Sequence, residues 1–125
     1  MTKFKSSSIK ESFANAIHGL NIAFFSQRNF RIEFFIAILV LLCAFLLKFS
    51  STDICILILM ITLVLVCELL NSIIEFTLDA VYKNNYSRLV EMAKDISAGM
   101  VLLVSFVSII VGIILFCPYI LKIFL

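Results

Sequence analysis

The sequence predicts an all-α membrane protein, with an N-terminal interfacial amphipathic helix followed by three transmembrane helices. Three observations carry that expectation. Hydrophobic residues fill 63 % of the 125 positions and charged residues only 14 %, against ~45–50 % apolar in soluble domains. Three long apolar runs recur along the chain, each bounded by polar residues. Thirteen Phe, three Gly, one Pro and no Trp fit packed helices rather than a turn-rich β fold. A soluble domain this small has too much surface for its volume to hide so many apolar side chains. Lipid is the fitting solvent. A net charge of +2 makes nucleic acid an unsuitable partner.

The elements follow in order within one domain, residues 1–125. MTKFKSSS (1–8) is polar and lacks the apolar core of a cleavable signal. From 9 to 25, Ile9, Phe13, Ile17, Leu20 and Phe24 recur at three- and four-residue spacing, with Lys10, Glu11, Asn15, His18 and Asn21 between them. Such a segment is too polar to span and suits a helix lying in the membrane interface. FFIAILVLLCAFLL (34–47), extended by Phe30, Ile32 and Phe49, gives a first span over 30–49. KFSSTD (48–53) is a short polar turn, and Lys48 can snorkel to the headgroups. ICILILMITLVLVC (54–67) runs into an acidic stretch, giving a second span with a cytoplasmic extension over 54–80. After the polar segment YKNNYSRLVEMAKD (82–95), residues 96–121 are uncharged and long enough to span alone. Cys43, Cys55, Cys67 and Cys117 lie inside apolar stretches without a CxxC pair and read as small hydrophobes.

Lysine and arginine set the expected orientation. Lys3, Lys5, Lys10, Arg28 and Arg31 precede the first span, and Lys83, Arg88 and Lys94 lie between the second and third. Lys48 and Lys122 fall on the other side. The N-terminus and the 82–95 segment are therefore expected in the cytoplasm.

CELLNSIIEFTLDA (67–80) is the anomaly. At 100° per residue, Glu68, Asn71, Glu75 and Asp79 fall at about 0°, −60°, −20° and +20°, one polar stripe roughly 16 Å long. A charge at the bilayer centre costs at least ~2.5–3.5 kcal/mol, and carboxylates on one face repel each other. A divalent cation is the natural counter-charge. Two plainer readings stand beside this one: the wetted end of a helix leaving the membrane, or pairing with basic residues that fixes helix packing. Glu68 stands directly behind ILILMITLVLVC, deeper than a frayed end requires. In EMAKDISAG (91–99), Lys94 and Asp95 follow one turn after Glu91. A lysine beside such a stripe can steady phosphate oxygens as a point charge. Ala98, Ser105, Ser108 and Gly112 line one side of the third span and suit close helix packing. His18 has no evident nucleophilic partner in sequence.

The stretch from Glu68 to Met100 resembles the small prokaryotic diacylglycerol kinases, integral-membrane lipid kinases unrelated to soluble kinases. The family pattern E-x-x-N-[ST]-x-x-E-x-x-x-D followed by A-K-D reads here Glu68, Asn71, Ser72, Glu75, Asp79, then Ala93, Lys94, Asp95, Ser97 and Ala98. Gly19 and NFRIE (29–33) extend the match over nearly the whole chain. The resemblance implies a homotrimer in the bacterial cytoplasmic membrane, with sites between neighbouring subunits. It implies ATP, Mg²⁺ and transfer of the γ-phosphate to the hydroxyl of diacylglycerol, giving phosphatidic acid. Glu68 would be the catalytic base, bordering the lipid with Ala98. Glu75 would ligate Mg²⁺. Lys94 and Asp95 would bind the nucleotide, with Glu75, Asn71 and Asp79 in the same pocket.

The chemistry is consistent with that implication. Phosphoryl transfer asks mainly for positioning and charge neutralisation. With only Gly19, Gly99 and Gly112, no glycine-rich phosphate loop can be built, so carboxylates, metal and Lys94 must hold the nucleotide. Gln27 stands where the family commonly carries a metal-binding glutamate. Its carbonyl oxygen can ligate but brings no charge, so Mg²⁺ should lean on Glu75 and the phosphates. Asn15 stands where an aromatic is frequent, and no role attaches to it. Glu33 after NFRI and Asn71-Ser72 resemble the diacylglycerol branch, while ISAGMVLL leans to relatives that phosphorylate undecaprenol. A different class, a non-enzymatic membrane subunit or small cation pore, also fits a bare acidic stripe.

Overall fold

The computed structural model describes residues 8–83 and 85–125. Those residues form four helices: α1 (Ile9–Ser26), α2 (Arg28–Leu46), α3 (Ser51–Tyr82) and α4 (Arg88–Phe124). Lys3 and Lys5, two of the residues behind the expected orientation, lie outside the described residues.

Ser8 starts α1 by accepting the Glu11 N–H at 3.2 Å, a cap of the kind that stabilises by ~1 kcal/mol. Gln27, in extended conformation, ends α1 and begins α2. Arg31 fixes the elbow. Its Nη1 donates to the Phe24 and Phe25 carbonyls at 3.0 and 2.9 Å, supplying donors that the last turn of α1 lacks. Phe24 meets Phe34 and Phe35 edge to face, with centroids 5.6 and 5.9 Å apart. α1 thus packs on α2 and turns Ile9, Phe13 and Phe25 outward.

The α2–α3 hairpin is held by backbone geometry that the sequence does not advertise. Lys48 adopts a left-handed φ of 59°. Its N–H donates to the Phe45 carbonyl at 3.1 Å, and the Phe49 N–H to the Ala44 carbonyl at 3.1 Å. These are the paired bonds of a helix end that usually calls on glycine; a lysine there costs about 1–2 kcal/mol. Phe49, enlisted from sequence to lengthen the first span, is instead folded back against Ala44 in the buried core with Leu57 and Leu115. Ser50 then caps α3 by accepting the Asp53 N–H at 3.2 Å.

Tyr119 of α4 closes this end. Its ring stacks on Phe49 with centroids 4.2 Å apart. Its hydroxyl donates to Asp53 Oδ2 at 2.6 Å and accepts from the Ser50 N–H at 3.0 Å. Tyr119→Phe keeps the stack but strands both polar partners. It is expected to destabilise the protein by about 1–3 kcal/mol, read by equilibrium unfolding in detergent micelles. An unchanged midpoint would show that the clamp does not hold the hairpin.

α3 is the central rod, packed along α4 and against α2. Only 11–17 % of the apolar window of each long helix is buried within the chain, so lipid or further protein must cover the rest. Length sets the register. At 1.5 Å per residue, the 19 residues of α2 span about 28 Å, just the ~30 Å hydrocarbon thickness. The 32 residues of α3 and 37 of α4 reach about 48 and 55 Å. Both therefore project beyond the bilayer. α4 begins at Arg88, eight residues ahead of the uncharged stretch, which places Lys94 and Asp95 inside a helix rather than at its start.

Candidate active site

The stripe on α3 faces the projecting part of α4, and its exposure rises along the helix. Glu68 is 2 % exposed, Glu75 is half-buried, and the Asp79 side chain is 64 % exposed. Taking Ile54 as the start of the apolar stretch, about 20 residues of helix fill the hydrocarbon. Glu68 then lies inside the lipid edge, Glu75 at it and Asp79 beyond it.

Cross-helix bonds lock α3 to α4 at this level. Ser97 Oγ donates to Asn71 Oδ1 at 2.7 Å, and Ser97 is 2 % exposed. One turn further out, Lys94 Nζ meets Asp79 Oδ1 at 2.7 Å. That pair is well exposed, 39 % and 64 % for the two side chains, and is worth only ~0–1 kcal/mol after screening. Such a lysine is fixed in direction yet can leave its partner cheaply. Glu75 lies within electrostatic reach of the same ammonium. Asp95 is exposed beside Lys94, and Ala98 is exposed one position past Ser97. Tyr86 donates to Glu91 Oε2 at 2.7 Å in the approach to α4, which pushes the phenol up from its ordinary pKa.

On the other side of Glu68 stands α2. Asn29 offers its side-chain amide to the Glu68 carboxylate. Glu33 lies near enough to Glu68 for like-charge repulsion, as does Glu75. Glu33 Oε2 is buried and finds no hydrogen-bond partner among the described residues. Sequence reading missed Asn29, and it valued Glu33 only as a branch marker. Neither contact has a local signature, because each joins α2 to α3 across more than 30 positions of chain. Gln27 sits at the elbow, half-buried, its amide donating to Ser26 Oγ at 3.4 Å.

Beneath Glu33 a groove of about 740 Å³ runs between α2, α3 and α4 as far as Leu121. Its walls are apolar apart from Glu33, Ser105 and Ser108. The Ser108 hydroxyl turns back on the Ser105 carbonyl at 2.8 Å. The groove can take a hydrocarbon chain whose polar end rises to Glu33 and Glu68.

Among the described residues, no three His, Cys, Asp or Glu side chains converge as a closed metal cage. Magnesium does not need one. It commonly keeps one or two carboxylates and takes its remaining ligands from substrate phosphates and water. Glu75, half-buried and close to Lys94, fits that demand.

Comparisons with known proteins bear on the family of the chain. The sequence profile described as prokaryotic diacylglycerol kinase matches residues 14–116. A protein of Synechocystis sp. named diacylglycerol kinase is 40 % identical over 101 residues, 81 % of this chain but 58 % of its own length. The chain thus spans little more than half of that relative. A protein of Bacillus subtilis named undecaprenol kinase is 34 % identical over 108 residues, covering 86 % of this chain and 87 % of its own. With the match running from α1 to the last turns of α4, the chain belongs to the prokaryotic diacylglycerol kinase family.

Proposed function

We propose that this chain is an ATP- and Mg²⁺-dependent lipid kinase that transfers the γ-phosphate to the hydroxyl of diacylglycerol, giving phosphatidic acid. The observation that carries the reading is the succession of Glu68, Glu75 and Lys94, with Glu75 within electrostatic reach of both others and an apolar groove opening from the neighbouring Glu33.

Each residue has a task. Glu68 accepts the proton of the acceptor hydroxyl as that oxygen bonds to the γ-phosphorus and the bond to ADP breaks. Asn29 holds the carboxylate from the α2 side. Lys94 exchanges Asp79 for phosphate oxygens, with Asn71, Asp79 and Asp95 completing the nucleotide pocket. Glu75 is the metal ligand, aided weakly by Gln27. Bound magnesium would neutralise phosphate charge there. Ala98 borders the lipid. The outward apolar faces suit both lipid and neighbouring copies, and a homotrimer in the bacterial cytoplasmic membrane is the assembly we assign. The N-terminus is cytoplasmic, and α1 lies in the interface with Ile9 and Phe13 in the acyl region.

Undecaprenol is the competing acceptor. It is favoured by the ISAGMVLL start of the third span and by the relative matched over 87 % of its own length. The deciding experiment offers purified protein diacylglycerol or undecaprenol under identical Mg·ATP and follows the phosphorylated lipid. Faster transfer to diacylglycerol is expected. Faster transfer to undecaprenol would change the acceptor, and no ATP consumption with either would move a non-enzymatic subunit or cation pore ahead.

A further inference from the structure

The end of the bundle opposite the carboxylates carries a second recess that phosphate transfer does not use. It has a volume of about 310 Å³ and is lined by Leu46, Leu47, Lys48, Tyr119, Lys122 and Ile123. Lys48 and Lys122 are the basic residues that the sequence places on this side, and the fold brings both to one recess. We infer that this recess binds the phosphate of an anionic phospholipid, with its acyl chains lying along Leu46, Leu47 and Ile123.

Four features support that occupant. The first is charge. Two lysines line one recess, and a phosphate held there would attract both. Asp53 keeps its charge while accepting from Tyr119 at 2.6 Å, but it lies outside the lining, and its single charge leaves the two lysines with an excess of one positive charge. The second is depth. Lys48 follows the last turn of a helix that just spans the hydrocarbon, the level at which headgroup phosphates lie.

The third is backbone conformation. Lys48 occupies the left-handed position that ends α2, where glycine would be the relaxed choice. A cation near a helix C-terminus is favoured by the dipole, and that accounts for one lysine on each helix. It does not account for a lysine at the strained position itself, nor for both lysines sharing a recess. The fourth is rigidity. The Tyr119 wall is fixed by Phe49, Ser50 and Asp53, so that side of the recess is formed before a ligand arrives.

The test is lipid retention by the full chain, counted by native mass spectrometry after exchange into detergent. The arms carry phosphatidylglycerol, phosphatidylcholine, or phosphatidylglycerol with excess inorganic phosphate. Lys48→Gln with Lys122→Gln is compared with a charge-matched control, Lys83→Gln with Arg88→Gln, at the other end. Retained phosphatidylglycerol is expected to fall about fivefold for each of Lys48 and Lys122 removed and to hold in the control. Lys48→Gly guards against misfolding: it should raise thermal stability by relaxing the backbone and still lose the lipid. Equal losses in both double variants would reduce the effect to net charge and overturn the site. So would phosphatidylcholine retained as well as phosphatidylglycerol. Displacement by inorganic phosphate would make this a free-anion site and overturn the lipid assignment.

Discussion

Glu68→Gln is expected to lower phosphate transfer by about 10²–10⁴-fold, the usual contribution of a positioned general base. The substitution keeps the shape of a side chain that is 2 % exposed but removes its ability to take a proton. Its effect on stability should have the opposite sign. Glu68 stands near both Glu33 and Glu75, so deleting its charge relieves repulsion, and the Asn29 amide can still donate to the new carbonyl. Transfer would be followed with Mg·ATP and diacylglycerol, and stability by thermal unfolding in the same detergent. A variant that keeps its rate within tenfold (a loss of about 1.4 kcal/mol) would remove Glu68 from the chemistry. A variant that loses rate only because it unfolds would make Glu68 a packing residue.

Lys94→Met should cost nearly as much by a different route. Loss of one preorganised charge at a transferring phosphoryl group typically costs about 10²–10³-fold, and the KM for ATP should rise with it. Stability should change by less than about 1 kcal/mol, because the Lys94–Asp79 pair is exposed and screened. The contrast separates two uses of the same lysine. Should Lys94→Met melt the protein at unchanged turnover per folded molecule, the ion pair would be a strut between α3 and α4 rather than a phosphate contact.

What could be read from sequence follows from how local each feature is. The stripe Glu68–Asn71–Glu75–Asp79 was legible because helical spacing alone puts those residues on one face. The three spans were legible because lipid leaves little alternative to an apolar helix. Ser97 against Asn71 and Glu33 against Glu68 were not, since each needs two helices to find a register that no single segment encodes. The early start of α4 was hidden by polarity: beyond the bilayer a helix can be polar all round, so 82–95 read only as a polar segment between two spans. Phe49 was assigned to the first span because a lysine, not a glycine, ends α2. Neither Lys48 nor Phe49 carries the usual stop signal.

The overhang of α3 and α4 beyond the hydrocarbon has one further implication. Carboxylates strung along a single rigid rod keep fixed spacings, but their heights above the acyl chains are set by how far the rod sinks. The host membrane therefore acts as a gauge. A thicker leaflet would draw Glu75 beneath the headgroups and away from soluble nucleotide, and a thinner one would lift Glu68 toward water. Mismatch of a few Å is tolerated at modest cost in such helices, so membrane thickness sets the height of each carboxylate at little expense to the fold.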